Sequence, residues 1–110
     1  MANTFTRKLS RGVGTTAAAI GSYTVAANTT VVIVGLTVTN TSGSAITANV
    51  FINDGAANTS VVTNAPISSG ASLIPIGGDQ KIVLLTGDAL YVQSSTASSI
   101  DAILSIMEIT

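Results

Sequence analysis

The stretch ITANVFINDG, residues 46–55, decides the fold class. Its apolar side chains fall on every second residue, at Ile46, Ala48, Val50 and Ile52. Polar or aromatic side chains fill the positions between them, which is the period of a β-strand with one buried face. Asp54-Gly55 then ends the run, because this pair supplies the positive φ angles that tight turns need. The segment therefore predicts a half-buried strand followed by a turn.

The same alternation recurs on both sides of this segment. Residues 32–40 place four apolar side chains on one face: Val32, Val34, Leu36 and Val38. In residues 89–95, Leu90 and Val92 alternate with Tyr91 and Gln93. Shorter apolar runs cover residues 59–64, 72–76 and 81–85, and the small, polar residues 16–25 are interpreted as an edge strand. Turn residues separate the runs at intervals of about ten residues. This spacing predicts an all-β fold, an antiparallel β-sandwich or small barrel-like sandwich of about six to eight strands.

The last run, residues 100–109, is apolar on both faces. Ile100, Ala102, Leu104 and Ile106 form one face, and Ile103, Met107 and Ile109 form the other. A strand of this kind either lies in the centre of a sheet or is covered by a neighbouring subunit. Both interpretations stay open on the sequence.

Residues 1–14 differ from the rest of the chain. They carry three of the four cations, Arg7, Lys8 and Arg11, together with Phe5. We interpret them as an N-terminal arm or a loosely attached first strand, and residues 15–110 as a single β-sandwich domain. The arm either docks on an acidic partner surface or is a frayed terminus.

The side chains that most enzymes use are missing. The 110 residues contain no His and no Cys, so the usual general base, thiol nucleophile and zinc ligands are absent. Five carboxylates remain, mostly in or beside turns: Asp54, Asp79, Asp88, Asp101 and Glu108. Asn53-Asp54-Gly55 matches only part of a calcium loop, and a capped turn explains it better. We therefore expect no enzyme activity, no catalytic residues, no metal and no cofactor.

Charge and hydropathy argue against a nucleic-acid-binding protein, a membrane-spanning helix and a signal peptide. Charged residues make up 8% of the chain, aromatic residues 4%, and the net charge is −1. Residues 54–110 hold five acids and one Lys, so nucleic-acid binding is not expected. The most apolar part, residues 31–38, is far shorter than the roughly 20 residues of a membrane-spanning helix. Residues 12–22 are too rich in Gly and Thr for the core of a signal peptide.

Several segments resemble small virion structural proteins of tailed bacteriophages, particularly marine and cyanobacterial ones. The resemblance lies in IGGDQKIVL (residues 76–84), TGDALYV (86–92) and SSIDAILS (98–105), with MANTF (1–5) and GVGT (12–15). It implies a structural protein located in the virion. Such proteins are similar to head decoration (cement) proteins, which bind across capsomer junctions. A small neck, tail or fibre-adaptor component and a surface-binding β-sandwich module are the alternatives.

The resemblance also implies the partners. These are the major capsid protein or other virion proteins, and further copies of the chain, as a trimer by analogy with cement proteins. The expected partner-binding residues are Phe5, Arg7, Lys8, Arg11, Ile103, Met107 and Ile109. Phe51 and Tyr91 fall on outward faces, so their joint exposure in a groove would favour the glycan- or receptor-binding module.

Overall fold

The computed structural model describes residues 2–77 and 81–110. Nine strands lie in this part of the chain: β1 (Asn3–Val13), β2 (Ala18–Ala19), β3 (Thr30–Asn40), β4 (Ile46–Asn53), β5 (Asn58–Ile67), β6 (Ser72–Ile76), β7 (Ile82–Leu84), β8 (Ala89–Ser94) and β9 (Ile100–Ile109). One turn of 3-10 helix spans Ile20–Ser22. The sequence pattern predicts up to eight strands in residues 15–110. The ninth strand is β1, which lies in the predicted N-terminal arm.

The strands form two antiparallel sheets. In the five-stranded sheet the order is β1-β9-β3, and β3 pairs on its other side with both β6 and β7. In the four-stranded sheet the order is β2-β8-β4-β5. Side chains from both sheets join in one hydrophobic core. The predicted all-β antiparallel sandwich is confirmed.

Alternation places the core residues of β4 and β8 as the sequence predicts. Ala48, Val50 and Val92 are fully buried, whereas Asn49 and Gln93 lie opposite each other on the outer side. In β9, Leu104 and Ile106 are buried and Ile103 is exposed. β9 lies centrally in its sheet, between β1 and β3, but its second apolar side stays on the outer surface, where Ile103 is exposed.

The predicted face of β3 is wrong in its first half. Val31 and Ile33 are buried, whereas Val32 is half-buried and Val34 is exposed. The cause is a register shift between Ile33 and Gly35 where β3 pairs with β9. A bulge inserts one residue and reverses which side chains point inward. From Leu36 onward the predicted face is correct.

The predicted edge strand over residues 16–25 is also wrong in extent. Only Ala18–Ala19 pair with β8, and the chain then enters the 3-10 turn. Gly21 and Ser22 have φ angles of 63° and 54°, which a strand does not allow. Ile20 and Val25 nevertheless enter the core. The segment therefore closes one end of the sandwich and contributes little to its sheet.

β1 pairs with β9 from Asn3 opposite Ile109 to Val13 opposite Ile100. A register shift lies between Ser10 and Val13, where Gly12 has a φ of 61°. The Gly12 amide donates to Asp101 Oδ1 over 3.0 Å. β1 is therefore the hydrogen-bonded edge strand of the five-stranded sheet. The division into an arm of residues 1–14 and a domain of residues 15–110 stays a prediction.

Candidate interaction surface

The outer surface of the five-stranded sheet carries apolar side chains that the core does not use. Among the described residues, the large hydrophobic side chains that are exposed are Phe5, Leu9, Val34, Ile74, Val83, Leu85 and Ile103. All but Leu85 lie in strands of this sheet, and Leu85 directly follows β7. Half-buried Val32, Met107 and Ile109 share the same side. We call this surface the apolar face.

Strand register joins two predicted contact regions into one surface. Phe5 lies opposite Met107, Leu9 opposite Ile103, and Asn3 opposite Ile109. Residues that are directly opposite in an antiparallel pair point to the same side of the sheet. The expected residues of the N-terminal segment and those of the last strand are therefore neighbours on the apolar face.

Two depressions lie on the apolar face. The larger has a volume of about 350 Å³ and is lined by Phe5, Thr6, Arg7, Val34, Ser105 and Ile106. The smaller has a volume of about 180 Å³ and is lined by Leu9, Ser10, Arg11, Asp101, Ala102 and Ile103. Ser105 pairs with Gly35 on β3, so two small residues lie beside the larger depression. The larger depression thus combines apolar walls with one guanidinium group.

The three cations of β1 divide between the two sides of the sheet. Arg7 and Arg11 are exposed, and each lines one of the depressions. Lys8 instead points toward the sandwich, with its Nζ 4.7 Å from the centre of the Tyr23 ring. Tyr23 also donates a hydrogen bond of 2.5 Å from its hydroxyl to Glu108 Oε2. Of the seven expected contact residues, Lys8 is the one that the fold separates from the others.

Burial and the neighbouring Glu108 carboxylate raise the pKa of the Tyr23 phenol well above its ordinary value. Desolvation has the larger effect, and the hydrogen bond and the charge of Glu108 add to it. The phenol therefore stays protonated across the neutral range and keeps donating to Glu108. Tyr23 thus contacts two strands, β9 through Glu108 and β1 through Lys8.

Each carboxylate of the described residues accepts a hydrogen bond within the fold. Asp54 Oδ1 accepts from the amides of Ala56 and Ala57, each over 2.9 Å, and these bonds lower the pKa of Asp54. Asp88 Oδ2 accepts from the Leu85 amide. Asp101 and Glu108 accept from Gly12 and Tyr23. These groups cap turns and connect strands.

The turn after β4 is a closed hydrogen-bonded unit, as the sequence analysis favoured over a calcium loop. Asn53 Oδ1 accepts from the Gly55 amide over 2.8 Å, and Asn53 Nδ2 donates to Asn58 Oδ1 over 2.6 Å. Residues 2–77 and 81–110 contain no group of three or more acidic side chains that could hold a metal ion. Asp79, one of the five carboxylates named above, lies outside the described residues.

The outer face of the four-stranded sheet is polar, with one aromatic pair. Phe51 and Tyr91 lie opposite each other, and their rings stack with centres 5.4 Å apart and an angle of 15°. Both side chains are half-buried. Each ring therefore covers one face of the other, which removes part of the surface on which a sugar would stack.

No helix in the described part of the chain is long and apolar enough to cross a membrane.

Comparison with known proteins supports the fold and leaves the function open. No protein-family model and no curated protein sequence matches the chain. The chain is similar to a solved structure from the Bacillus endospore appendages, described as disulfide-linked pili, with a TM-score of 0.54. The identity is 15%, over 100% of this chain and 91% of that one. At this identity the likeness shows a shared fold.

Two structures of a pentameric capsid protein isolated from metagenomic phage sequences are more distant. Their TM-scores are 0.40 and 0.37, and their identities 14% and 16%. The matches cover 94% and 96% of this chain, which spans 58% and 63% of those chains. The solved structures named here thus come from pili and phage capsids.

Sequence reasoning missed several members of the apolar face: Leu9, Val34, Ile74, Val83 and Leu85. The alternation of β1 offered a signal, because Phe5, Arg7 and Leu9 are two residues apart. Val34 could not be found, because its exposure depends on the bulge in β3.

Proposed function

We propose that this chain is a structural protein of a bacteriophage virion, and that it is a capsid decoration protein. The observation that carries the proposal is the apolar face. A two-sheet sandwich with a complete core does not need a second apolar surface, and such patches mark contacts with other proteins. The resemblance of residues 76–105 to small phage virion proteins supports the virion as the location.

The role is mechanical. Copies would bind across capsomer junctions and bury surface there, which raises the free energy needed to separate the shell subunits. The contact residues on the apolar face would be Phe5, Arg7, Arg11, Ile103, Met107 and Ile109, whereas Lys8 points toward Tyr23 on the other side of the sheet. The chain contains no Cys, so disulfide bonds do not link its copies. Its net charge of −1 and few charged residues leave little self-repulsion to oppose assembly.

The number of copies per particle tests this role. Purified virions would be imaged by electron microscopy, and the chain quantified by mass spectrometry against the major capsid protein. Decoration predicts hundreds of copies on the outside of the head. A dozen or fewer copies at the neck or tail would favour the alternative, an adaptor component. Absence from the particle would overturn both.

Substitutions in β1 test how the chain attaches. Deleting residues 1–12 would remove β1 and uncover β9, so single substitutions are cleaner. Arg7→Gln and Arg11→Gln are expected to weaken binding to particles that lack the chain by about tenfold each, more strongly at low salt. Lys81→Gln removes the same charge outside β1 and is the matched control. Equal effects of all three would contradict the assigned surface.

The surface-binding module is the weaker candidate, because Phe51 and Tyr91 are half-buried and stack on each other. Glycan binding measured for Phe51→Ala and Tyr91→Ala would support it only if both substitutions removed the binding while leaving the chain folded.

A further inference from the structure

The larger depression on the apolar face lies beside the most exposed hydrophobic side chain of the described residues. We propose that two copies of this chain pack through their apolar faces into a twofold-symmetric dimer, with Phe5 of each copy in the larger depression of the other. This inference goes beyond the proposed role in the virion and does not depend on it.

Phe5 and the depression form a self-complementary pair. The Phe5 side chain is 74% exposed and projects from β1, and the depression beside it has a volume of about 350 Å³. A twofold interface needs this property, because the same patch must present both a projection and a hollow.

The chemistry of the depression suits an aromatic ring. Exposed Val34 lines it with an apolar side chain, and Ser105 adds a small one. Arg7 also lines it, so the guanidinium of one copy would lie near the Phe5 ring of the other. A cation near the face of an aromatic ring is stabilised by the ring quadrupole. Arg7 therefore favours this contact, although it carries a charge on an apolar face.

The apolar face is large enough for a stable contact. The sheet is four strands wide at about 4.8 Å per strand, and its longest strands have eleven residues at about 3.4 Å each. The outline of the whole face is therefore roughly 700 Å², which is the upper limit for a face-to-face contact and lies close to the approximately 800 Å² that each partner buries in a standard interface. Sheets that pack face to face, at about 10 Å, are an ordinary arrangement.

Pairing through the edge of β1 is a poorer route to self-association. Antiparallel pairing of two β1 strands would bring Arg7, Lys8 and Arg11 of one copy close to those of the other. Positive side chains on an edge strand are a common means of preventing such pairing. Two copies would therefore meet by their faces and not by the edges of β1.

The test is the mass of the full chain in solution. Sedimentation and light scattering from about 1 µM to about 1 mM are expected to show a species of twice the 10.9 kDa chain mass. Phe5→Ser is expected to raise the dimer dissociation constant about 30-fold or more, as expected for a central aromatic contact. Ser105→Trp fills the depression while Phe5 stays in place. We expect it to raise the dimer dissociation constant by a similar factor.

Ile74→Ser is the matched control. Ile74 is 66% exposed, and it lies on β6, across the sheet from β1. We expect it to change the dissociation constant by less than about threefold. A wild-type chain that stays monomeric, a trimer, or a Phe5→Ser variant that dimerises normally would each overturn the proposal. Circular dichroism checks that each variant is folded. None of these results would affect the decoration role, which the copy number per particle tests separately.

Discussion

The two outer faces of this sandwich are completed in different ways. On the four-stranded sheet, outward side chains bond to one another: Asn49 donates to Gln93 over 3.4 Å, and Phe51 stacks on Tyr91. On the five-stranded sheet, outward apolar side chains such as Phe5 and Ile103 have only part of their surface covered. Both sheets contribute to the same core. The difference between their outer faces therefore concerns the contacts that each face is free to make with other molecules.

This difference separates side chains that stabilise the fold from those that are free to stabilise an assembly. An exposed apolar side chain contributes little to folding, because its surface stays in contact with water in the folded and unfolded chain alike. The same side chain contributes to association when a partner removes that surface from water. Paired substitutions on the two faces can measure this division.

The largest expected effect comes from adjacent residues of β9 that point in opposite directions. Leu104 is 1% exposed and Ile103 is 47% exposed. Leu104→Ala should lower the free energy of unfolding by about 2–5 kcal/mol, because it leaves a cavity in the core. Ile103→Ala should lower it by less than about 1 kcal/mol. Urea unfolding of both variants at low protein concentration measures the difference. Equal losses would mean that the apolar face is covered within the monomer.

A smaller effect is expected from aromatic residues on opposite faces. Phe51→Ala should lower the free energy of unfolding by roughly 1–2 kcal/mol, because it removes half-buried surface and the stack with Tyr91. A double-mutant cycle with Tyr91→Ala should show a coupling of about 1 kcal/mol. Phe5→Ala should change stability by less than about 0.5 kcal/mol below the concentration at which copies associate. A large loss from Phe5→Ala would assign Phe5 to the fold instead.

Local patterns predicted the strands well. The alternation in residues 46–53 gave β4 with its observed bounds, and residues 72–76 and 100–109 gave β6 and β9 in the same way. These segments are fixed by side-chain periodicity and by the turns that end them. The prediction of which β3 side chains point inward was wrong at Val32 and Val34, because both faces of this strand carry β-branched residues. The bulge that selects one face is set by pairing with β9.

The candidate surface could be predicted only in parts. Phe5 and Met107 are about a hundred residues apart in the chain, and only the register of β1 on β9 makes them neighbours. No local signal encodes such a pairing, since it depends on which strands become adjacent in the sheet. The orientation of Lys8 has the same origin, because Tyr23 reaches it from the 3-10 turn. Residue types indicated a contact surface, and topology decided which residues share it.

A pH-dependent effect is expected where Tyr23 donates its hydrogen bond to Glu108 of β9. The folded-state pKa of Tyr23 lies above the value of 10.0 expected for an exposed phenol. The unfolded chain therefore releases this proton first, so the contribution of Tyr23 is complete below about pH 10 and is lost as the pH rises toward the folded-state pKa. Unfolding of the wild type and of Tyr23→Phe would be compared between about pH 8 and about pH 11. The wild type should lose more stability over this range, and parallel curves would contradict the raised pKa.

The smallest expected effect lies at the opposite end of the pH scale, in the turn of the four-stranded sheet. The amides of Ala56 and Ala57 hold the pKa of Asp54 below its ordinary value of 3.8. The unfolded chain therefore takes up this proton first, so the contribution of Asp54 is present above about pH 4 and is lost as the pH falls through the folded-state pKa. Asp54→Asn keeps an acceptor oxygen and removes the titration, so its unfolding midpoint should fall less than that of the wild type between about pH 6 and about pH 2. Because Asp54 is exposed, the difference should shrink in high salt, whereas the stack of Phe51 on Tyr91 should not respond to salt. A loss of stability in acid that Asp54→Asn leaves unchanged would contradict the assignment of an acid-sensitive group to this turn.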